Sequence, residues 1–310
     1  MNIYNQIPAL KATAIALGCF DGIHLGHRAV IDKLNTPEAE SLDKAVFSFA
    51  DGPAFKKGAE SIASFDDKCS ILNEMGVSEL ILPSFDSVKD YPPKAFFRNI
   101  LIKKLDARLL VCGENYRFGQ YAAGDADMLR ELCEAQGIGC IVVPSVMYGG
   151  EMISSSRIRS ALSQGDVQAA AKMLGRQFSY CLEVVHGRKL GRQLGTPTIN
   201  QYFPEDFLIP AFGVYASVTE VDGTRYPSVT NIGVKPTVGS NKPLSETWII
   251  GCNEDLYGQF IRVSLISYMR KEFKFSSIEI LKQAIHDDSI KSISLTADYL
   301  NDEVTDWIQN

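Results

Sequence analysis

Apolar residues in the first half of the chain gather in short runs, each followed by a longer stretch with helical spacing. The runs fall at 14–17, 45–49, 79–82, 108–112 and 140–143. Runs of this length, flanked by polar residues and glycine, predict strands buried on both faces. Ten residues beyond the first strand a helix is expected over 28–34, with Ala29, Val30, Ile31 and Leu34 as its apolar face. Others are expected over 66–75, 93–105 and 125–136, with Gly76 and Gly137 as stops. Such alternation predicts a parallel sheet covered by helices, with ligands at the carboxyl ends of its strands. Two more helices follow, over 156–163 and 166–174, with Asp166 as an N-cap.

Beyond Phe178 the rhythm changes. Strand-like segments at 180–186, 213–221, 226–232, 246–250 and 259–267 are separated by glycine and proline turns. Asp222-Gly223 marks a hairpin. Residues 276–309 return to helical spacing. The pattern predicts an α/β domain followed by a small antiparallel β domain with C-terminal helices, with the boundary near 174–179.

Composition narrows this picture. The chain has 310 residues, 45% hydrophobic and 22% charged, as in ordinary globular proteins with two cores. A net charge of −6 argues against a broad nucleic-acid surface while leaving room for local cationic pockets. No apolar stretch reaches membrane-span length, and Lys11 interrupts the first one, so neither a membrane segment nor a signal peptide is expected. Seven cysteines without a Cys-x-x-Cys pair read as free thiols in a reducing compartment, the cytoplasm. Small molecules are the expected partners. Oligomeric state is left open.

The ten residues Gly18-Cys19-Phe20-Asp21-Gly22-Ile23-His24-Leu25-Gly26-His27 hold two of the four histidines among three glycines. A strand, a glycine turn and a helix start form a phosphate-binding arrangement in α/β proteins. The spacing is neither the dinucleotide fingerprint nor a Walker loop, so imidazoles take the place of a lysine. His24 and His27 fall on one side of a first helical turn. A lone His-x-x-His is more often structural; the strand, the glycines and Phe20-Asp21-Gly22 raise this pair above that reading. The box resembles the His-x-Gly-His signature of nucleotidylyltransferases, in the longer form found in bacterial bifunctional riboflavin kinase/FAD synthetases. Gly18, Phe20, Asp21 and Gly26 would then contact ATP. Ile153-Ser154-Ser155-Ser156-Arg157-Ile158-Arg159 resembles the family's second phosphate segment, which implies that Ser155, Ser156, Arg157 and Arg159 bind the ATP phosphates. Gly113-Glu114-Asn115-Tyr116-Arg117-Phe118-Gly119 resembles its flavin loop, implying contacts from Asn115, Tyr116 and Phe118; asparagine and tyrosine replace the usual aspartate and phenylalanine. At Phe49-Ala50-Asp51-Gly52-Pro53 the chain departs further, with Gly52 where the family carries histidine.

In the second half, Gly187-Arg188-Lys189-Leu190-Gly191-Arg192-Gln193-Leu194-Gly195-Thr196-Pro197-Thr198-Ile199-Asn200 joins three cations to three glycines. Such a loop can fold over phosphates. Thr198 and Asn200 supply neutral oxygens of a kind Mg²⁺ accepts. The run resembles the Mg-ATP segment of riboflavin kinases, which implies nucleotide contacts from Gly191, Arg192, Gly195, Thr198 and Asn200, with Thr198 and Asn200 on the metal. Asn231 to Thr237, Glu246-Thr247-Trp248-Ile249, Leu256-Tyr257-Gly258 and Arg270-Lys271-Glu272-Phe273-Lys274-Phe275 resemble later kinase segments in order. They imply Glu246 as general base and Arg270 at the flavin; His186 and His286 are read as structural. The resemblance implies an α/β Rossmann-like nucleotidylyltransferase domain over 1–176, followed by a small antiparallel β-barrel riboflavin kinase domain with C-terminal helices over 177–310. Riboflavin and ATP would give FMN, and FMN and ATP would give FAD. A kinase with a degenerate first domain, or a flavin-responsive binding protein, are the alternatives.

Overall fold

The computed structural model describes residues 1–49, 60–187, 195–234 and 242–300. The expectations for Gly52, Gly191 and Arg192 lie outside the described residues. The chain divides into two compact units, Met1–Ser155 and Ser156–Asn310.

The first unit is built on six parallel strands: β1 (Asn2–Tyr4), β2 (Thr13–Leu17), β3 (Asp43–Phe47), β4 (Glu79–Ile81), β5 (Ala107–Gly113) and β6 (Gly139–Val143). Their order is β1-β4-β3-β2-β5-β6. Every residue of β2 is buried, because alternate side chains enter opposite cores. Ile15 and Leu17 pack with Phe96, Phe97 and Leu129, while Ala14 and Ala16 pack with Ile31, Leu34 and Leu72.

Helices α1 (Leu25–Ile31), α2 (Phe65–Glu74), α3 (Pro93–Phe96) and α4 (Ala126–Gln136) supply those layers. Ser64 Oγ caps α2 by accepting from the Asp67 N–H at 3.1 Å, and Asp125 caps α4 through the Met128 N–H at 2.9 Å. Gly137, at φ +67°, ends α4 in the left-handed conformation glycine favours. Two expected helices change form along their length. The first tightens into a 3₁₀ turn over Asp32–Asn35, and the helix begun at Pro93 widens into a π-turn over Phe97–Ile102. The chain runs out from β2 to β3 and β4 on one side, then returns to lay β5 and β6 on the other. That reversal places a topological switch point between β2 and β5, where α/β sheets open a crevice.

The second unit contains nearly all of α5 (Ser155–Ser163), then α6 (Val167–Leu174), six antiparallel strands, and α7 (Ile278–Thr296). The strands are β7 (Phe178–Glu183), β8 (Thr198–Tyr202), β9 (Gly213–Val221), β10 (Thr224–Val234), β11 (Pro243–Ile249) and β12 (Phe260–Arg270). In the order β7-β12-β9-β10-β11-β8 they curl into a half-barrel, whose two edges meet where the Val185 N–H donates to the Asn200 carbonyl at 2.8 Å. Asp222 (φ +48°) and Gly223 (φ +80°) form the expected two-residue hairpin between β9 and β10. Asp166 caps α6, which packs on β7 and β12.

The interior of this sheet is partly polar. Tyr180, Ser217, Thr230, Ser245 and Thr247 are fully buried and form a chain of hydroxyl hydrogen bonds of 2.6 to 3.2 Å. Among the described residues no helix is long and apolar enough to cross a membrane, and the seven cysteines are free.

Candidate active sites

The histidine box lies at the carboxyl end of β2, at the switch point. Gly18 extends the strand, donating its N–H to the Phe47 carbonyl at 3.2 Å. A Cβ on Gly18 would stand 2.9 Å from the Phe20 ring, so only glycine lets that ring lie across the strand end. Phe20 (φ +51°) and Ile23 (φ +39°) adopt left-handed backbone conformations that side chains disfavour, and both are buried. Asp21 braces the turn from beneath. Its Oδ1 accepts from the Ile62 N–H, and its carbonyl accepts from Ser155 Oγ, each at 3.1 Å. The turn is thus held at both sides by groups distant in sequence.

His24 caps α1 with its ring: Nδ1 accepts from the His27 N–H at 3.2 Å. The proton of the neutral imidazole therefore sits on Nε2. His27 stacks on His24 with centroids 3.6 Å apart and planes 16° apart, and meets the Phe20 ring edge-on at 5.2 Å. Burial, together with repulsion from His24 and Lys68, holds the His27 pKa well below the usual imidazole range. His27 is thus a neutral donor–acceptor at physiological pH. Its Nδ1 is buried with no hydrogen-bond partner among the described residues.

These rings open into a cavity of about 730 Å³ that brings together Gly18, Phe20, Gly26, Asn115, Tyr116, Phe118 and Ser155 from the sequence-derived set. Tyr116 and Phe118 form a parallel aromatic wall, 5.7 Å apart at 11°. Burial pushes the Tyr116 phenol well above its ordinary range, so it stays protonated. Asn115 Nδ2 lies 3.8 Å from Met152 Sδ. Ser156, Arg157 and Arg159 follow Ser155 on α5.

In the second unit a cavity of about 890 Å³ collects Thr198, Asn200, Glu246 and Arg270. Register explains the convergence. Asn200 on β8 pairs with Glu246 on β11, which pairs with Asn231 on β10, setting three polar side chains in a row across the sheet. Thr198 stands two residues from Asn200 on the same face. A Cβ on Gly187 would fall 2.5 Å from Asn200 Nδ2, so glycine here leaves the space the amide occupies.

Arg270 does not point freely into this cavity. Its Nε and Nη2 grip the Asp288 carboxylate of α7 at 3.1 and 2.6 Å, and its guanidinium lies 4.6 Å over Phe273. His186, read from sequence as structural, lines the same cavity and packs on Tyr257 at 3.9 Å. Asn231 donates to Glu272 Oε1 at 2.7 Å, while its own Oδ1 is buried without a partner among the described residues. Gly195 is described but does not line the cavity.

Sequence reasoning also missed Asp288 and Lys68. Asp288 lies 18 residues from Arg270 and is joined to it only by folding. Lys68 carried one signal: it falls three and four positions before the buried Ile71 and Leu72, on the apolar face of α2.

The first unit is of the nucleotidyl-transferring class, with a glycine turn and paired imidazoles at a parallel-sheet switch point. The second, with its cavity on an antiparallel half-barrel, is of the small-molecule kinase class. Family models agree: one described as FAD synthetase matches residues 6–157, and one described as riboflavin kinase matches residues 174–295. The bifunctional riboflavin kinase/FMN adenylyltransferase of Bacillus subtilis (strain 168) is 32% identical over 91% of this chain and 92% of its own. The protein of the same name from Pseudomonas fluorescens is 31% identical over 95% and 96%. A crystal structure from Streptococcus pneumoniae, described as a macrolide-efflux protein, superposes with a TM-score of 0.84 at 28% identity, covering 93% of this chain and 96% of that one. The chain belongs to the bifunctional riboflavin kinase/FMN adenylyltransferase family.

Proposed function

We propose that the chain makes FAD from riboflavin in two ATP-dependent steps, with residues 1–176 carrying adenylyl transfer and 177–310 carrying phosphorylation. The observation that supports adenylyl transfer best is the pair of stacked imidazoles facing a cavity whose far wall is aromatic. An FMN phosphate oxygen attacks the α-phosphorus of ATP, a new P–O bond forms, and the bond to the bridging oxygen breaks to release pyrophosphate. The nucleophile is already anionic, so no protein base is required. Negative charge accumulates on the α-phosphate oxygens, and the His24 and His27 rings donate to it from preorganised positions. Ser155, with Ser156, Arg157 and Arg159, receives the departing pyrophosphate. Tyr116 and Phe118 stack on the isoalloxazine, and Asn115 hydrogen-bonds to it.

In the kinase step Glu246 accepts the proton of the riboflavin 5′-hydroxyl as its oxygen attacks the γ-phosphorus. Thr198 and Asn200 fit a hard divalent cation: both offer neutral oxygens, and the absence of a side chain at Gly187 gives the Asn200 amide its room. Mg²⁺ held by Thr198 and Asn200 would neutralise phosphate charge. Arg270, braced by Asp288 and Phe273, fixes the flavin side of the cavity. The reading makes the protein a cytoplasmic enzyme of small-molecule metabolism.

One time course tests both steps. The protein is incubated with riboflavin, ATP and Mg²⁺, and flavins are separated by chromatography. FMN should rise first, and FAD should follow. FMN without FAD would leave only the kinase; neither product would reduce the chain to a flavin-binding protein.

A further inference from the structure

The adenylyl-transfer site gathers phosphates, yet burial keeps its His27 imidazole neutral. The cations that line the cavity are compensated: Lys89 pairs with Asp86 at 2.7 Å and Arg117 with Asp125 at 3.5 Å. Behind the turn the situation differs. Lys68 projects from the apolar face of α2 to the carboxyl ends of β2 and β3. There its Nζ lies 3.4 Å from the Cys19 carbonyl and 3.5 Å from Ser48 Oγ. Ser48 is fully buried and itself donates to the Cys19 carbonyl at 2.7 Å.

An ammonium has three donors and no acceptor, and its bonds to charged partners run to about 2.7–2.9 Å. Two neutral contacts at the long limit leave it under-satisfied. No carboxylate forms an ion pair with it among the described residues, and the pull of Asp21 reaches it only through space. A half-buried cation with no carboxylate ion pair among the described residues is costly unless something anionic completes its surroundings. The anion that fits is the one this turn exists to receive.

We propose that Lys68 is a positioning residue for adenylyl transfer, fixing the Cys19–Asp21 turn through the Cys19 carbonyl and Ser48, and holding positive potential behind His24 and His27 for the polyphosphate of the nucleotide. The turn needs such a fixing point, since Phe20 and Ile23 hold left-handed backbone that relaxes if released. The charge also discourages protonation of His27, so the ring stays a neutral donor while phosphate charge builds in front of it. Cys19, Asp21 and Cys69 are the other titratable groups facing the ammonium. The inference rests on the adenylyl-transfer reading of the first unit.

The test uses the full chain with two substitutions. Lys68→Met keeps the length of the side chain and removes its charge; Lys68→Arg restores charge on a different head group. FAD formation from supplied FMN and ATP is measured with Mg²⁺, alongside FMN formation from riboflavin and the melting temperature. Lys68→Met should lower kcat for FAD formation by about tenfold to a hundredfold, as expected for a displaced reacting geometry. KM for ATP should move less than kcat, FMN formation should be unchanged, and Lys68→Arg should recover most of the lost rate. Wild-type kcat in Lys68→Met would overturn the proposal. So would equal losses in both variants, or a loss that follows melting temperature alone. If the wild-type protein itself forms no FAD, the adenylyl-transfer reading fails first, and the two failures are thereby distinguished.

Discussion

The two sites are built on opposite plans. The first is compact in sequence: the ten residues 18–27, from the end of β2 into the first turn of α1, carry both imidazoles, and their geometry comes from one turn at a sheet crevice. The second is dispersed: Thr198, Asn200, Asn231, Glu246 and Arg270 come from four strands, and only antiparallel register brings them together. The local site concentrates backbone strain in Phe20 and Ile23. The dispersed site relies on pairing, with every residue in ordinary extended backbone. Chemistry on the first plan is sensitive to the turn; on the second it is sensitive to strand alignment. The two should therefore fail separately.

The sharpest way to break that separation is at Glu246. Glu246→Gln keeps the shape and the register and removes the base, so riboflavin phosphorylation should fall about 10²–10⁴-fold. FAD formation from supplied FMN should stay at the wild-type rate. Near-normal phosphorylation would make Glu246 a structural acid.

Next in size is the histidine pair. His27→Asn should lower FAD formation about 10²–10³-fold while FMN formation continues. His24→Asn is a cleaner probe than alanine, because asparagine is itself a good N-cap and replaces the cap that the His24 ring provides. A rate loss of similar size at an unchanged melting temperature would separate the donor role of Nε2 from the capping role of Nδ1. Loss of stability alone would confine His24 to capping.

A third outcome concerns where the second activity can be cut free. A fragment of residues 156–310 retains α6, with Val167, Ala170, Met173 and Leu174 buried, whereas 177–310 lacks it. Each large apolar side chain so buried contributes about 1.5–3 kcal/mol as an upper estimate. Both fragments should phosphorylate riboflavin and make no FAD, and the shorter should melt lower by on the order of 10 °C. Equal melting temperatures, read by circular dichroism, would show that α6 contributes nothing to the strand sheet.

The smallest effect is in the pH dependence of stability. The folded-state pKa of His27 is lowered by burial, so the unfolded chain binds the proton more readily. The stability linked to His27 is complete above the unfolded value of about 6.5 and is lost as pH falls toward the folded value. Urea midpoints of the wild type should therefore decline below about pH 6.5, and His27→Asn should flatten that decline. An identical profile in the variant would assign the acid sensitivity to other groups.

The same contrast explains what could be read before folding. Five strands of the parallel sheet carry apolar runs, buried in β2 to β5 and only partly buried in the edge strand β6, and the histidine box is contiguous, so both are visible in the chain itself. β1 escaped because its three residues are largely exposed and carry no buried run. The π-turn at Phe97–Ile102 escaped because adjacent apolar pairs four residues apart look alike in an α-helix and in its widened form. β8 escaped for a different reason: Thr198 and Asn200 read as a phosphate loop, and the strand beneath them exists only because β11 offers a partner. The Arg270–Asp288 clamp, the His186–Tyr257 contact and the place of Lys68 beneath the turn are products of tertiary approach, to which no local pattern points.

The hydroxyl chain inside the second unit makes that register self-checking. Side chains alternate across a strand, so sliding β11 by one residue would turn Ser245 and Thr247 outward, taking from Tyr180 its hydroxyl partner and from Thr230 one of its two. The same slip would carry Glu246 inward, away from Asn200. A mispaired barrel thus loses its internal hydrogen bonds and its base together, and a folded molecule with the wrong alignment has no stable place to rest.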